Sequence, residues 1–382
     1  MWSLLYDTQP VDCSDNVDGV ANPIKLGACL WSLEQMEHWG RIRSSSAHNK
    51  IDRKFHCTKM AASSSSHLNL DSRPIEVSEQ TNLDGDREPC PPPLAWQQIL
   101  EAFRTESDCW ELDREQYVLR GRSWGTGPPL YFLCGWSSTY EMFVLSVWLL
   151  RQDFRCVLYD YPNCERNCSR PPKLSINDFT ADLLAITDLH HDTHVNVYAT
   201  SFGSAIALSA MHKRPHMFQR AVIQGGFVYR RLTVFEQLLL KVCWYLPGRL
   251  RQVPWRDRFQ QRNHRHWFPS FDRSRWQFFL ENTGQSSIAS LAARATVVKD
   301  LDLRTELHQI RQPIQIIHSE GDGRIIANCQ QELEKGLPNA TIESLHTCGQ
   351  IPYLTHPHRL TNLIRPFLLG KDQTVAEMDD GT

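Results

Sequence analysis

From Trp96 onward the chain alternates between two spacings of apolar residues. Short runs rich in β-branched, leucine and aromatic residues, at 117–122, 129–134, 155–160, 195–200, 221–225, 313–319 and 341–345, read as strands. Between them lie stretches with apolar residues three and four apart, the spacing of one helix face. The clearest is 175–190, where Phe179, Leu183, Leu184, Ile186 and Leu189 share a face and Ser175 or Asn177 supplies the cap. Further helices are predicted at 142–151, 201–211, 327–336 and 357–369. Strands that alternate with helices in this way predict an α/β fold, a mostly parallel sheet with helices on both faces. The core is expected at 95–226 and 304–370, interrupted by an insert at 227–303.

Residues 1–94 show no sustained period, carry two serine runs and end in Cys90-Pro-Pro-Pro93, so a disordered N-terminal extension is expected there. Residues 371–382 read as an acidic tail. Hydrophobic residues make up 41% of the 382 and the net charge is only -2, which excludes a chain-wide field for nucleic acid or membrane. The apolar stretches at 142–150 and 232–246 are too short to span a bilayer, and Glu236 and Lys241 interrupt the second, so no integral membrane segment is expected. The first residues lack the basic start of a secretory leader. Twelve cysteines with no CxxC pair and no zinc-ligand spacing read as reduced thiols of a cytoplasmic protein, and no metal or other cofactor is implied.

The chemistry is concentrated where the strand 195–200 runs into a helix at Ala199-Thr-Ser201-Phe-Gly203. A serine on such a tight junction exposes its hydroxyl above the sheet, and the next backbone N–H, that of Phe202, faces the place where negative charge would develop. Four other segments follow in order: Leu133-Cys-Gly-Trp136, Asp160-Tyr-Pro162, His318-Ser-Glu-Gly-Asp322 and Gly349-Gln-Ile-Pro-Tyr-Leu354. On these segments the chain resembles the α/β-hydrolase superfamily over residues 96–370. Gly284-Gln-Ser-Ser-Ile-Ala-Ser-Leu, Leu337-Pro-Asn-Ala340 and Pro352-Tyr-Leu354 are similar to its maspardin-like branch. The resemblance implies the hydrolase fold with a helical cap at 227–303, Ser201 as nucleophile, Asp322 as acid, and Phe202 and Trp136 as oxyanion donors.

The chain departs from the superfamily where the chemistry is most demanding. Cys134 replaces the loop histidine, Asn163-Cys-Glu165 replaces a glycine turn, and Gln350 stands at the position of the catalytic histidine. An amide has no titratable nitrogen to take the serine proton; the maspardin-like branch likewise lacks this histidine. Two readings follow. In one, the protein is a weak or non-catalytic member that binds a small carbonyl or ester-type ligand or a protein partner. In the other, it is a serine hydrolase of esterase or amidase type in which a displaced histidine, His356, serves Ser201 and Asp322. His318 and His346 are expected as packed strand residues.

The insert adds a separate feature. Between Arg249 and Arg275 eight arginines outnumber two aspartates, and Trp255, Phe259, Trp267, Phe268, Phe271 and the adjoining Trp276 are interleaved with them. This reads as a solvated arginine face whose aromatics pack on the main domain, and it could also meet an anionic surface. Nucleic acid is not the expected partner.

Overall fold

The computed structural model describes residues 95–162 and 171–371, which belong to one compact unit. The expected N-terminal extension, the acidic tail beyond Lys371 and the Asn163-Cys-Glu165 turn lie outside the described residues.

Eight strands form one sheet: β1 (Asp108–Arg114), β2 (Tyr117–Trp124), β3 (Pro129–Leu133), β4 (Arg155–Tyr159), β5 (Val195–Thr200), β6 (Phe218–Gln224), β7 (Ile314–Ser319) and β8 (Ala340–Leu345), in the order β1-β2-β4-β3-β5-β6-β7-β8. The β1–β2 and β2–β4 pairs are antiparallel and the rest parallel. Every residue of β5 is buried, as expected of a parallel strand covered on both faces. The sequence did not announce β1: its residues, Asp-Cys-Trp-Glu-Leu-Asp-Arg, are polar because it is an edge strand with one solvated side.

The helices of the main domain are α1 (Trp96–Glu106), α2 (Val144–Leu150), α3 (Ile176–Leu189), α4 (Phe202–Lys213), α9 (Arg324–Gly336), α10 (Pro352–Thr355) and α11 (Pro357–Leu368). Helix α3 starts at a Ser175 capping box with Asp178. The predicted helix at 142–151 begins instead as a 3₁₀ turn, Tyr140–Phe143. From β3 the chain steps through α2 to β4 toward one edge, then through α3 to β5 on the other side of β3. Right-handed crossovers in opposite directions put α2 on one face and α3 on the other. The carboxyl ends of β3 and β5 therefore flank the switch point where open α/β sheets bind ligands.

Between β6 and β7 lie four helices: α5 (Val234–Tyr245), α6 (Arg256–His264), α7 (Arg273–Thr283) and α8 (Ile288–Asp300), with α5 packed on α8. Two arginines of this insert are not solvated, contrary to expectation. Arg256 and Arg275 are 2% and 4% exposed. Arg256 donates to the Leu280 carbonyl (2.9 Å) and the Thr283 hydroxyl (2.5 Å), and Arg275 donates to the Leu354 carbonyl (3.1 Å). Buried guanidiniums survive there because helix-end and loop carbonyls replace their water. Conversely Trp255 and Phe271, expected to pack on the main domain, are exposed.

Candidate active site

Ser201 precedes α4 with φ 49° and ψ -114°, a left-handed conformation that a serine adopts at a cost of about 1–3 kcal/mol and keeps only when its surroundings hold it. They do so with three bonds. Its N–H donates to the Gln224 carbonyl (3.0 Å), and its own carbonyl accepts from the Ser204 N–H (3.0 Å) and hydroxyl (2.5 Å). Two residues on, Gly203 donates to the Cys134 carbonyl (3.1 Å), and a Cβ on Gly203 would lie 2.5 Å from the Leu133 carbonyl oxygen. The glycine is thus required by the close approach of α4 to β3. Phe202, the proposed oxyanion donor, is fully buried.

The second proposed donor, Trp136, is 7% exposed and follows Gly135, whose added Cβ would come within 3.6 Å of the Ser201 Cβ. The loop around it is pinned at both ends. The Cys134 carbonyl accepts from the Tyr161 hydroxyl (2.8 Å), and the Trp136 carbonyl accepts from buried Arg294 of α8, which also donates to the Pro162 carbonyl (3.1 Å). Asp160 accepts from the Tyr140 N–H (2.8 Å), and burial pushes its carboxyl up to about 7.

Asp322 stands on the turn after β7. Its Oδ2 accepts from the Ser319 N–H (3.0 Å), its Oδ1 is shielded from solvent, and the carboxyl also meets the Gln330 amide. Burial pushes its carboxyl up to about 7, against the pull of the Ser319 bond and the Gln330 amide. The loop carrying Gln350 lies against this turn, with Gly321 N–H donating to the Cys348 carbonyl (3.0 Å). Trp267 from the insert covers both loops: an added Cβ would lie 2.7 Å from its ring at Gly321 and 2.5 Å at Gly349. Gln224 links the Gln350 loop to Ser201, because its carbonyl takes the Ser201 N–H and its side-chain amide donates to the Gln350 carbonyl (3.1 Å). The Tyr198 hydroxyl holds the other end of that amide.

Ser201, Gln350 and the Asp322 turn are thereby brought together. His356 occupies the N-cap position of α11: its Nδ1 is 2.9 Å from the Thr355 hydroxyl, and burial together with Arg359 and Arg275 lowers its pKa. Of the two histidines expected to pack on strands, His318 lies half-buried on β7, 2.8 Å from Glu334, whereas His346 is exposed in the turn beyond β8. Sequence reasoning passed over Gln224 and Arg294, whereas Trp267 packs on the main domain as expected of the insert's aromatics. Gln224 and Arg294 both carried a signal, being polar residues inside the apolar runs 221–224 and 291–298.

Beside Ser201 is a cavity of about 20 Å³, room for one water. Trp136 and Phe202 line it from the main domain, and Phe227, Leu232, Ala295 and Val298 from the insert. One charged side chain joins them, Arg230, 3.5 Å from Glu236. A much larger hollow of about 770 Å³ opens around His191, His194 and His216, at the amino ends of β5 and β6, away from Ser201. Among the described residues no three His, Cys, Asp or Glu side chains form a group suited to a metal ion.

A family model described as alpha/beta hydrolase fold matches residues 128–357. The chain is 25% identical over 257 residues to the pimeloyl-[acyl-carrier protein] methyl ester esterase of Nitrosomonas europaea, covering 62% of this chain and 94% of the relative. It is 34% identical over 91 residues to the enzyme of that name from Aromatoleum aromaticum, a match spanning 24% of this chain and only 36% of the relative. Among solved structures, a putative lipase from Acinetobacter baumannii superposes with a TM-score of 0.58 at 15% identity over 74% of this chain and 98% of that one. The enol-lactonase of Burkholderia xenovorans gives 0.56 at 16% identity over 68% and 100%.

Proposed function

The chain belongs to the α/β-hydrolase fold family, and within it we propose an ester-binding protein whose nucleophile and acid persist without a general base, so that turnover is weak or absent. The observation that carries this reading is the Asp322 carboxyl, buried beside the Gln350 loop with Oδ1 shielded from solvent and its pKa pushed up to about 7. In a working relay an imidazole would occupy that oxygen and, once protonated, hold the carboxyl low. With Gln350 at that position, the amide offers no titratable nitrogen to take the Ser201 proton, and loss of such a histidine costs about 10⁶ in kcat in a serine protease. The methyl ester esterases among the relatives support a small carbonyl or ester as the ligand class.

The maspardin-like placement rests on the motifs around Gly284, Leu337 and Pro352 and belongs to the same proposal. So do a cytoplasmic setting, supported by the six free thiols among the described residues, and an anionic surface as partner of the insert, supported by exposed Arg251, Arg258, Arg262 and Arg273. No helix among the described residues is long and apolar enough to cross a membrane. A working hydrolase using His356 would require that side chain to leave Thr355 and the neighbourhood of Arg275 and Arg359.

The test is intact mass after a serine-directed fluorophosphonate, alongside hydrolysis of short p-nitrophenyl esters. Wild type should label slowly at Ser201 and barely turn over. Gln350→His should hydrolyse the esters measurably, and Ser201→Ala should abolish that gain. Rapid labelling of wild type that His356→Ala removes would replace this reading with the active one.

A further inference from the structure

Helix α5 of the insert carries apolar residues on two opposite arcs. On the inner arc Leu240 and Cys243 are buried together with Glu236, and α5 packs on α8. On the outer arc Val234, Phe235, Leu238 and Val242 are 84%, 57%, 59% and 40% exposed. Positions one, four and eight residues on from the first fall within about 100° of a helix's circumference, so the four side chains form a single outward stripe. Lys241 is exposed at the edge of this stripe, and its long stem lets the ammonium reach past apolar neighbours. Arg231 ahead of the helix and Arg251 beyond it are exposed as well. The one acid in 231–256, Glu236, is buried in the capping box with Thr233, so the exposed charge flanking the stripe along the chain is cationic.

We infer that α5 is a membrane-docking helix, whose outer stripe sinks into the boundary between headgroups and acyl chains of an anionic bilayer while Arg231 and Lys241 meet the headgroups. An interfacial helix needs only such a narrow apolar face with cations beside it. A protein partner fits this face less well, because a stable interface takes roughly 800 Å² from each side and about one hydrogen bond per 100–200 Å². Four partly exposed apolar side chains supply neither the area nor the donors and acceptors. Leu232, two residues ahead of α5, and Val298 of α8 line the cavity beside Ser201, so a docked chain would hold one wall of that cavity close to the lipid. The inference rests on the anionic-surface reading of the insert and adds the apolar half of the contact.

Flotation of the full chain with vesicles of phosphatidylcholine alone, or mixed with phosphatidylserine, tests it. Wild type should float with the mixed vesicles only. Phe235→Ser combined with Leu238→Ser, two exposed changes that should leave melting unchanged, should lower that recovery at least about tenfold at low salt. A photo-crosslinking benzoylphenylalanine in place of Leu238 should form an adduct with lipid, and the same group in place of Leu189, exposed on α3 of the main domain, should not. No flotation of wild type, undiminished flotation of the double variant, lipid adducts at both positions alike, or a crosslink from position 238 to a second copy of the chain would overturn the inference. If the double variant floats like wild type while changing Arg251, Arg258, Arg262 and Arg273 to Gln stops flotation, the anionic-surface reading stands and insertion of α5 falls. If wild type floats equally with both kinds of vesicle and the double variant with neither, insertion stands and the anionic preference falls.

Discussion

At the scale of single residues, the site is marked by a carboxyl that burial desolvates. Asp322, proposed above as the relay acid, has a folded pKa of about 7, well above the roughly 3.9 of an exposed aspartate. The native state therefore keeps the proton longer than the unfolded chain, and stability falls as pH rises from about 4 to about 7, while below 4 both states are protonated and the penalty vanishes. Asp322→Asn should then stabilise the protein at pH 8 by on the order of 1–3 kcal/mol and have little effect at pH 4. Thermal melts of both proteins across that range check this; equal shifts at both ends would show that the carboxyl is not desolvated. Gln350→His should depress the same carboxyl by giving it an imidazolium, so the two substitutions test one electrostatic fact by stability and by chemistry.

At the scale of elements, the strained serine is held by the approach of α4 to β3 and by the Gln224 carbonyl at the end of β6. Two glycines near Ser201 have different reasons to be glycine. A methyl on Gly203 would strike the Leu133 backbone at 2.5 Å, whereas one on Gly135 would meet Ser201 Cβ at an ordinary 3.6 Å. Gly203→Ala should cost about 1–3 kcal/mol by overpacking, and Gly135→Ala less than about 1 kcal/mol. Urea unfolding of the two variants separates them, and equal costs would mean that the elbow, not the contact, sets the requirement. Element by element, the Ala199-Thr-Ser201-Phe-Gly203 junction was legible because it is a local pattern of small residues at a strand end. Strand β1 was not, because its charged sequence is explained only by its seven-residue pairing along β2 at the sheet edge. Nor was the helix at 96–106 anticipated ahead of it.

At the scale of the whole molecule, the insert joins the main domain through arginines as well as apolar contacts. Arg256 and Arg275 are structural, Arg294 clamps the Trp136 loop, and Arg251, Arg258, Arg262 and Arg273 remain exposed. Arg256→Gln should therefore destabilise by roughly 1–3 kcal/mol, through the stranded Leu280 and Thr283 oxygens. Changing the four exposed arginines to Gln should leave melting nearly unchanged yet abolish flotation with anionic liposomes, which for wild type should weaken as salt rises. Equal recovery of wild type and variant at low and high salt would leave the exposed arginines only a solvation role. The sequence by itself determined the strand–helix alternation, the elbow at Ser201 and the absence of a base at Gln350, since periodicity, small residues at a junction and the missing titratable nitrogen of an amide are local properties. Only the tertiary structure decided which arginines are buried, that Gln224 ties Ser201 to the Gln350 loop, and that Arg230 shares the one-water cavity beside Ser201. Those facts join residues 23 to 126 positions apart, and no local pattern specifies which distant carbonyl or side chain a polar group will meet once the sheet closes.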